Sequence, residues 1–169
     1  MLVKDNYPVN REDRKKRLEY LIQERKKHEE KLEKENQILE MLELFPEKNK
    51  VDILDESESD KIESKMTDCF PIGFWGRIDW EKVSNKIILT KEDILKIPTI
   101  LSNQSLDTSV PVYLIVGIYK YPLVKTSLFT ILESVEDILD MGPDQWIYSP
   151  SLRYVIEFCH DDVITIGWI

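Results

Sequence analysis

The sequence predicts an α+β fold in which a single mixed, mainly antiparallel sheet with two packing helices follows a long N-terminal helix. Three observations lead to this prediction. Residues 11–45 contain neither Gly nor Pro, and residues 110–119 form the most hydrophobic run. Two β-rich segments, 154–160 and 163–169, flank a short acidic turn. The chain of 169 residues is long enough for one ordinary domain and an appendage.

Residues 1–46 are predicted to form a helical extension, because strong helix formers fill them from residue 11 onward. Asn10, or Asn6 before a proline, is a suitable N-cap, and Pro46 marks the end. Leucines recur at heptad spacing, but charged residues interrupt the same seam. A solvated helix and a helix that dimerises or docks a partner therefore both stay open. The leucines are Leu18, Leu21, Leu32, Leu39 and Leu42, and the interrupting residues are Arg25, His28 and Glu35.

Residues 47–68 have the composition of an acidic linker. From residue 51 to residue 68 there are seven acidic residues and two lysines, with few apolar side chains to bury. Such a segment buries too little apolar surface to offset the entropy of ordering. The sequence therefore predicts a solvated linker between the helical extension and a compact domain at 69–169.

Residues 69–121 begin the compact domain with short elements. The aromatic, glycine-punctuated start leads into a predicted strand at 76–79, and a second strand is predicted at 86–89. Thr90 then caps a helix that ends before Pro98 or continues to Leu101. Residues 110–119 are rich in β-branched side chains, which favours a central strand buried on both faces.

Residues 122–169 complete the predicted sheet. Apolar residues at three and four spacing predict an amphipathic helix over 122–139, which Gly142 and Pro143 terminate. A short strand follows at 145–148. The closing segments are predicted to pair as a hairpin with a two-residue loop, so that His160 faces Val163 and Phe158 faces Thr165. Both faces of this hairpin are largely apolar and are expected to be covered.

Charge and composition exclude several classes of protein. A net charge of −9 argues against general binding of nucleic acid phosphates and suits a protein with a basic partner. No uncharged apolar stretch approaches the length of a membrane span. The N-terminus does not resemble a secretory signal, and the two cysteines lie far apart, which favours reduced thiols. A cytoplasmic location is therefore predicted.

The sequence carries no catalytic signature. No glycine-rich phosphate loop, GxSxG, HExxH or CxxC motif occurs. Cys159 and His160 are neighbours on a predicted strand, so their side chains are expected on opposite faces. Glu157 interrupts an apolar strand face, and Arg77 or Arg153 would satisfy its charge. The sequence therefore predicts a protein that is not an enzyme and that has no cofactor or metal.

Four segments of the compact domain carry a resemblance: DWEKVSNKIILT, PVYLIV, KTSLFTILESVEDI and QWIYSPSLRYVIEFCHDDVITIGWI. They resemble the bacterial immunity proteins of contact-dependent growth inhibition and related polymorphic toxin systems, over roughly residues 76–169. The resemblance implies a small cytosolic protein without enzymatic activity. It also implies that the partner is the C-terminal toxin domain of a cognate effector, often a nuclease.

A toxin-binding surface follows as a hypothesis from the resemblance and the charge. Carboxylates would occupy the space that phosphates take on a basic nuclease, and one or two aromatic residues would anchor the complex. The four acids expected to be exposed there are Asp140, Asp144, Asp161 and Asp162. The alternative is a scaffolding or regulatory protein that dimerises or docks through the N-terminal helix.

Overall fold

The computed structural model of the chain describes residues 10–169. The chain divides between Asn36 and Gln37 into two compact units. We call residues 10–36 the arm and residues 37–169 the sheet domain. The first helix, α1 (Arg11–Glu43), begins in the arm, and its last turns belong to the sheet domain. No helix of the described chain is both long and apolar enough to cross a bilayer.

The arm is helical, as its composition predicts. The Asn10 carboxamide oxygen accepts a hydrogen bond from the Glu12 N–H at 3.3 Å, which caps the first turn. Asn6, the alternative cap, lies outside the described residues. Side-chain ion pairs follow at i,i+4 spacing, and the arm leucines Leu18, Leu21 and Leu32 are exposed within this unit. Dimerisation through the helix stays a prediction.

A seven-stranded sheet forms the centre of the sheet domain. Its strands are β1 (Asp52–Ile53), β2 (Asn85–Thr90), β3 (Val112–Val116), β4 (Val124–Thr126), β5 (Asp144–Ser149), β6 (Tyr154–Cys159) and β7 (Val163–Trp168). Their order is β1-β4-β3-β5-β6-β7-β2, and every neighbouring pair is antiparallel. The predicted α+β class with a mainly antiparallel sheet is therefore confirmed.

Each face of the sheet buries its own apolar core. The end of α1 packs on one face together with α3 (Ile97–Asn103), α4 (Leu128–Glu133) and α5 (Val135–Asp140). The other face is covered by α2 (Glu56–Cys69) and by the segment that follows it. Strand β5 shows the alternation, since Ile147 faces the first core while Trp146 and Tyr148 face the second. The central strands are buried on both sides, as their composition predicts.

Helix α2 corrects the interpretation of residues 47–68 as a linker. Asp55 caps it, because its carboxylate accepts a hydrogen bond from the Glu58 N–H at 2.8 Å. One face buries Met66 together with the polar residues Ser59 and Glu63. Composition fails here because those polar groups are satisfied by backbone N–H groups of the loop between β3 and β4, so the helix can pack despite its charge.

The predicted helix over 122–139 and the predicted strand at 76–79 are also corrected. Residues 124–126 form β4 against β3, and the helix begins only after Ser127, whose hydroxyl accepts from the Thr130 N–H at 3.1 Å. Ser134 then separates α4 from α5. Around residues 72–78 the structure has only one isolated bridge, between Ile72 and Ile78. After Thr90 a 3₁₀-helix, Lys91–Lys96, precedes α3, which continues past Pro98.

The hairpin of β6 and β7 is one residue out of the predicted register. Phe158 faces Ile164 rather than Thr165, and Tyr154 faces Trp168. The loop contains three residues, because β6 ends at Cys159 and β7 begins at Val163, and the Asp162 N–H closes a turn within it onto the Cys159 carbonyl at 3.1 Å. Asp162 itself has φ of 61°, the left-handed residue that three-residue hairpin loops use. The expectation that both faces of the hairpin are covered is confirmed.

Candidate functional site

The four predicted acids lie at one end of the sheet. Asp140 ends α5, Asp144 begins β5, and Asp161 and Asp162 lie in the turn between β6 and β7. Asp144 pairs with Cys159 across the two strands, which puts the start of β5 next to that turn. We call this region the hairpin end and define it by residues 117–121, 140–144 and 160–162. Sequence reasoning left open whether the acids share a face, and the sheet brings them to one end.

Exposure differs among the four acids. Asp140, Asp161 and Asp162 are exposed, as expected. The expectation is wrong for Asp144, whose side chain is only 18% exposed because it begins a strand inside the sheet. Asp140 and Asp162 line a common cavity of about 250 Å³ with Lys91.

The acids at the hairpin end do not form a bare negative patch. An Arg77 guanidinium nitrogen lies 3.9 Å from the Asp161 carboxylate, and His160 Nδ1 lies 3.7 Å from the Asp144 carboxylate. The pKa of Asp161 is lowered chiefly by its hydrogen bond to the Cys159 thiol, with smaller contributions from the Val163 N–H and Arg77. Asp161 therefore carries its negative charge well below neutral pH.

A buried carboxylate ties the segment around residue 78 to the sheet. Glu157 is 1% exposed and accepts hydrogen bonds from the Ile78 N–H and the indole N–H groups of Trp80 and Trp146, at 2.7–2.9 Å. An Arg77 nitrogen lies 3.6 Å away, so one of the two predicted partners is confirmed. Because four groups satisfy the carboxylate, Glu157 serves to position this segment rather than to react.

Exposed aromatic side chains border the hairpin end. Phe74 is 92% exposed and Trp75 85% exposed, and their rings meet edge to face with centroids 5.2 Å apart. Trp75 and Tyr119, which is 65% exposed, line a groove of about 560 Å³ that also reaches Asp144. Large exposed aromatic groups beside a groove are typical of protein interfaces.

Sequence reasoning partly missed these aromatic residues. Either the core or an interface can hold a tryptophan, and Trp146 is buried in the core, whereas Trp75 is exposed. The available signal was the pair Gly73 and Gly76 on either side of Trp75. Gly76 has φ of 75°, a conformation that other residues rarely adopt, so the chain turns there and leaves the Trp75 ring outside. Tyr119, with φ of 57°, gave no comparable signal.

Helix α2 holds the loop that carries Tyr119. The Tyr119 N–H donates to the buried Glu63 carboxylate at 3.1 Å, and the Leu123 N–H donates to the Ser59 hydroxyl at 3.2 Å. Burial raises the pKa of Glu63 to about 7, although the Tyr119 N–H acts in the opposite direction. The groove beside Tyr119 therefore depends on contacts made by the buried face of α2.

One group of potential metal ligands occurs among the described residues. Asp144, Cys159 and His160 each offer one ligand atom, and these atoms lie within 4.8 Å of one another. The expectation that Cys159 and His160 point to opposite faces is wrong, because β6 ends at Cys159 and His160 already belongs to the turn.

Comparison with known proteins decides the family. Residues 38–167 match the family described as CdiI immunity protein, EcoliA0-like. The chain belongs to this family. The match extends the resemblance toward the N-terminus, since α2 lies inside the CdiI region, whereas the whole arm lies outside it. No curated protein matches the chain. The CdiI region contains both the groove and the four acids.

Proposed function

We propose that this immunity protein binds the C-terminal domain of a cognate, basic, nuclease-type toxin in the cytoplasm and neutralises it by covering its functional surface with the hairpin end. One observation supports this choice of surface above others. The exposed rings of Trp75 and Tyr119 lie beside the same groove as Asp144, and a second cavity next to it is lined by Asp140 and Asp162. Tryptophan and tyrosine are among the residues most enriched in binding hot spots.

Electrostatics supports a basic partner. Residues 38–167 contain 23 acidic and 12 basic residues, so the family region carries most of the negative charge of the chain. A nuclease domain needs positive charge to hold phosphate backbones. Complementary charge raises the rate of encounter and disfavours wrong partners. Carboxylates at the hairpin end would then occupy positions that phosphates otherwise take.

The hairpin end and the aromatic segment beside it are held in place before any partner arrives, which reduces the entropy lost on binding. Glu157 fixes the segment that follows Trp75, and Glu63 fixes the loop of Tyr119. The immunity protein would therefore act by binding, without catalysis of its own.

The first experiment is co-purification of the tagged full chain from its host, followed by identification of the protein that stays bound. We expect a basic C-terminal fragment of a large secreted protein, and we expect co-expression of the chain to rescue growth of cells that produce this fragment. If the chain rescues no such fragment and binds none, the proposal is wrong.

A matched pair of variants then locates the surface. The test variant replaces the four acids of the hairpin end with Asn. The control replaces four exposed acids elsewhere with their amides, so that both variants lose the same charge. We expect the test variant to weaken toxin binding at least about tenfold, chiefly by slower and less salt-dependent association, and the control to change it much less. The test acids are Asp140, Asp144, Asp161 and Asp162, and the control acids are Asp52, Glu58, Asp60 and Glu81.

A second pair tests the aromatic anchor. Trp75→Ala is expected to weaken toxin binding about 30-fold or more, the loss typical of a central hot-spot residue. Ile88→Ala, at an exposed residue of the edge strand β2, is the control and is expected to bind nearly as well as the unmodified chain. Equal affinities of both acid variants, together with full binding by Trp75→Ala, would assign inhibition to another surface.

A further inference from the structure

Three ligand atoms of different chemistry meet where β5 starts and β6 ends. Asp144 and Cys159 are cross-strand partners, so the sheet itself holds their side chains next to each other. His160 is the first residue of the turn, and its ring returns toward the strand end. Its Nδ1 atom lies 3.5 Å from the Cys159 sulfur and 3.7 Å from an Asp144 carboxylate oxygen.

These separations are close to those of a tetrahedral metal centre. Zinc binds thiolate at about 2.3 Å and imidazole nitrogen at about 2.0–2.1 Å. At a tetrahedral angle these bond lengths give a sulfur–nitrogen separation of about 3.5 Å and a nitrogen–oxygen separation of about 3.4 Å. The first matches the observed distance between Cys159 and His160, and the second requires a side-chain shift of a few tenths of an ångström at Asp144.

Burial supplies an independent observation. The Asp144 Oδ1 atom, the oxygen 3.7 Å from His160 Nδ1, is shielded from solvent and has no partner within hydrogen-bond distance among residues 10–169. A buried carboxylate oxygen without a donor is unfavourable, and a bound cation would satisfy it. Cys159 is buried as well, whereas His160 is exposed and opens onto the cavity lined by Asp140 and Asp162.

We propose that Asp144, Cys159 and His160 form a site for a divalent cation of the Zn²⁺ class, with its fourth coordination position open to solvent. The combination of thiolate, imidazole and carboxylate favours zinc over calcium or magnesium, which prefer oxygen ligands alone. Arg77 is already ion-paired with Glu157 and Asp161, so its positive charge is compensated nearby. The sequence alone predicted no metal, because it suggested that Cys159 and His160 face opposite ways.

Occupation of this site would join the turn between β6 and β7 to the start of β5. In an unfolded chain Asp144 lies far from the other two ligands, and the side chains of Cys159 and His160 are not held together. The ion therefore binds only the folded arrangement. The melting temperature should therefore rise with Zn²⁺ concentration in the absence of any toxin. This proposal concerns the free immunity protein and does not depend on where the toxin binds.

The test uses the chelator-treated full chain, titrated with Zn²⁺ by calorimetry and with Co²⁺ by absorption spectroscopy. We expect one ion per chain. We also expect a thiolate-to-cobalt charge-transfer band together with the visible bands of tetrahedral Co²⁺. Substitution of residues that only hydrogen-bond to metal ligands already weakens metal binding by about tenfold or more. Cys159→Ser, His160→Gln and Asp144→Asn should therefore each weaken Zn²⁺ binding by at least about tenfold.

The chain offers matched controls, because it contains only two cysteines and two histidines. Cys69→Ser and His28→Gln should bind Zn²⁺ as the unmodified chain does. His160 is exposed, so His160→Gln tests the site without threatening the fold, and a urea titration of each variant verifies this. The proposal is overturned if no ion binds at one per chain, if the thiolate band is absent, or if binding survives both Cys159→Ser and His160→Gln.

Discussion

Replacement of Glu157 by Gln tests how the segment around residue 78 is held to the sheet. The substitution preserves the shape of the side chain but removes one acceptor oxygen and the charge. The carboxylate accepts from Trp80 Nε1 at 2.7 Å with one oxygen, and from the Ile78 N–H and Trp146 Nε1 at 2.9 Å with the other. Whichever way the amide of Gln lies, its NH₂ group faces at least one N–H donor.

The expected loss follows from these contacts. One unpaired buried donor costs about 1–3 kcal/mol, and each remaining bond weakens by about 1 kcal/mol when its acceptor becomes neutral. Relief of the desolvation of a buried charge offsets part of this loss. We therefore expect Glu157→Gln to lower the free energy of unfolding by about 2–4 kcal/mol, a large share of the stability of an ordinary domain.

Urea unfolding of the full chain measures this loss, with an unchanged m-value as the sign that only stability differs. Glu81→Gln, at an exposed position, is the control and should stay within about 0.5 kcal/mol of the unmodified chain. Adding Trp80→Phe removes one of the three donors. Trp80→Phe should therefore lower the free energy of unfolding less in the Glu157→Gln variant than in the unmodified chain, with a coupling energy of at least about 1 kcal/mol. A loss below about 1 kcal/mol for Glu157→Gln, or additive effects in the double variant, would refute this account of the cluster.

Two further predictions concern other parts of the sheet domain. A Cβ atom at Gly167 would overlap the Trp80 ring, so Gly167→Ala should destabilise the chain by about 1–3 kcal/mol. Gly142 has open space around it, so Gly142→Ala is the control and should change stability little. Equal urea midpoints for the two variants would contradict this prediction. Because the pKa of Glu63 is raised from 4.5 to about 7, the folded state favours the protonated acid. The free energy of unfolding that protonated Glu63 adds is therefore lost as pH rises from about 4.5 to 7. Glu63→Gln should therefore gain stability relative to the unmodified chain by up to about 3 kcal/mol across that range, and a difference independent of pH would refute the assignment.

Much of the fold could be predicted from local patterns, and the departures have particular physical causes. The strands β5 to β7 are largely apolar on both faces, so their burial follows from composition. Strand β4 could not be predicted, because its three residues become a strand only through pairing with distant β3. The register of the hairpin depended on whether Asp162 adopts a left-handed conformation, which its sequence neighbours do not dictate.

The candidate site shows the same division. Acidic residues near turns are visible in the sequence, so Asp140, Asp161 and Asp162 could be predicted as exposed. Their assembly at one end depends on strand order, and so does the partial burial of Asp144. Glu63 was hidden within an apparently solvated acidic stretch, because only the loop of Tyr119 explains why a carboxylate is buried there.

The neighbouring position of β2 and β7 has a consequence for the order in which the chain can fold. Asn85 pairs with Trp168, and β2 has its pairing partner only after residues 163–168 have been synthesised. Until then the Trp80 ring lacks the backbone of Gly167 on which it packs. Helices form locally within microseconds, whereas joining such distant strands is slow. A growing chain on the ribosome therefore carries an unpaired strand edge, where mispairing with another chain competes with completion of the sheet.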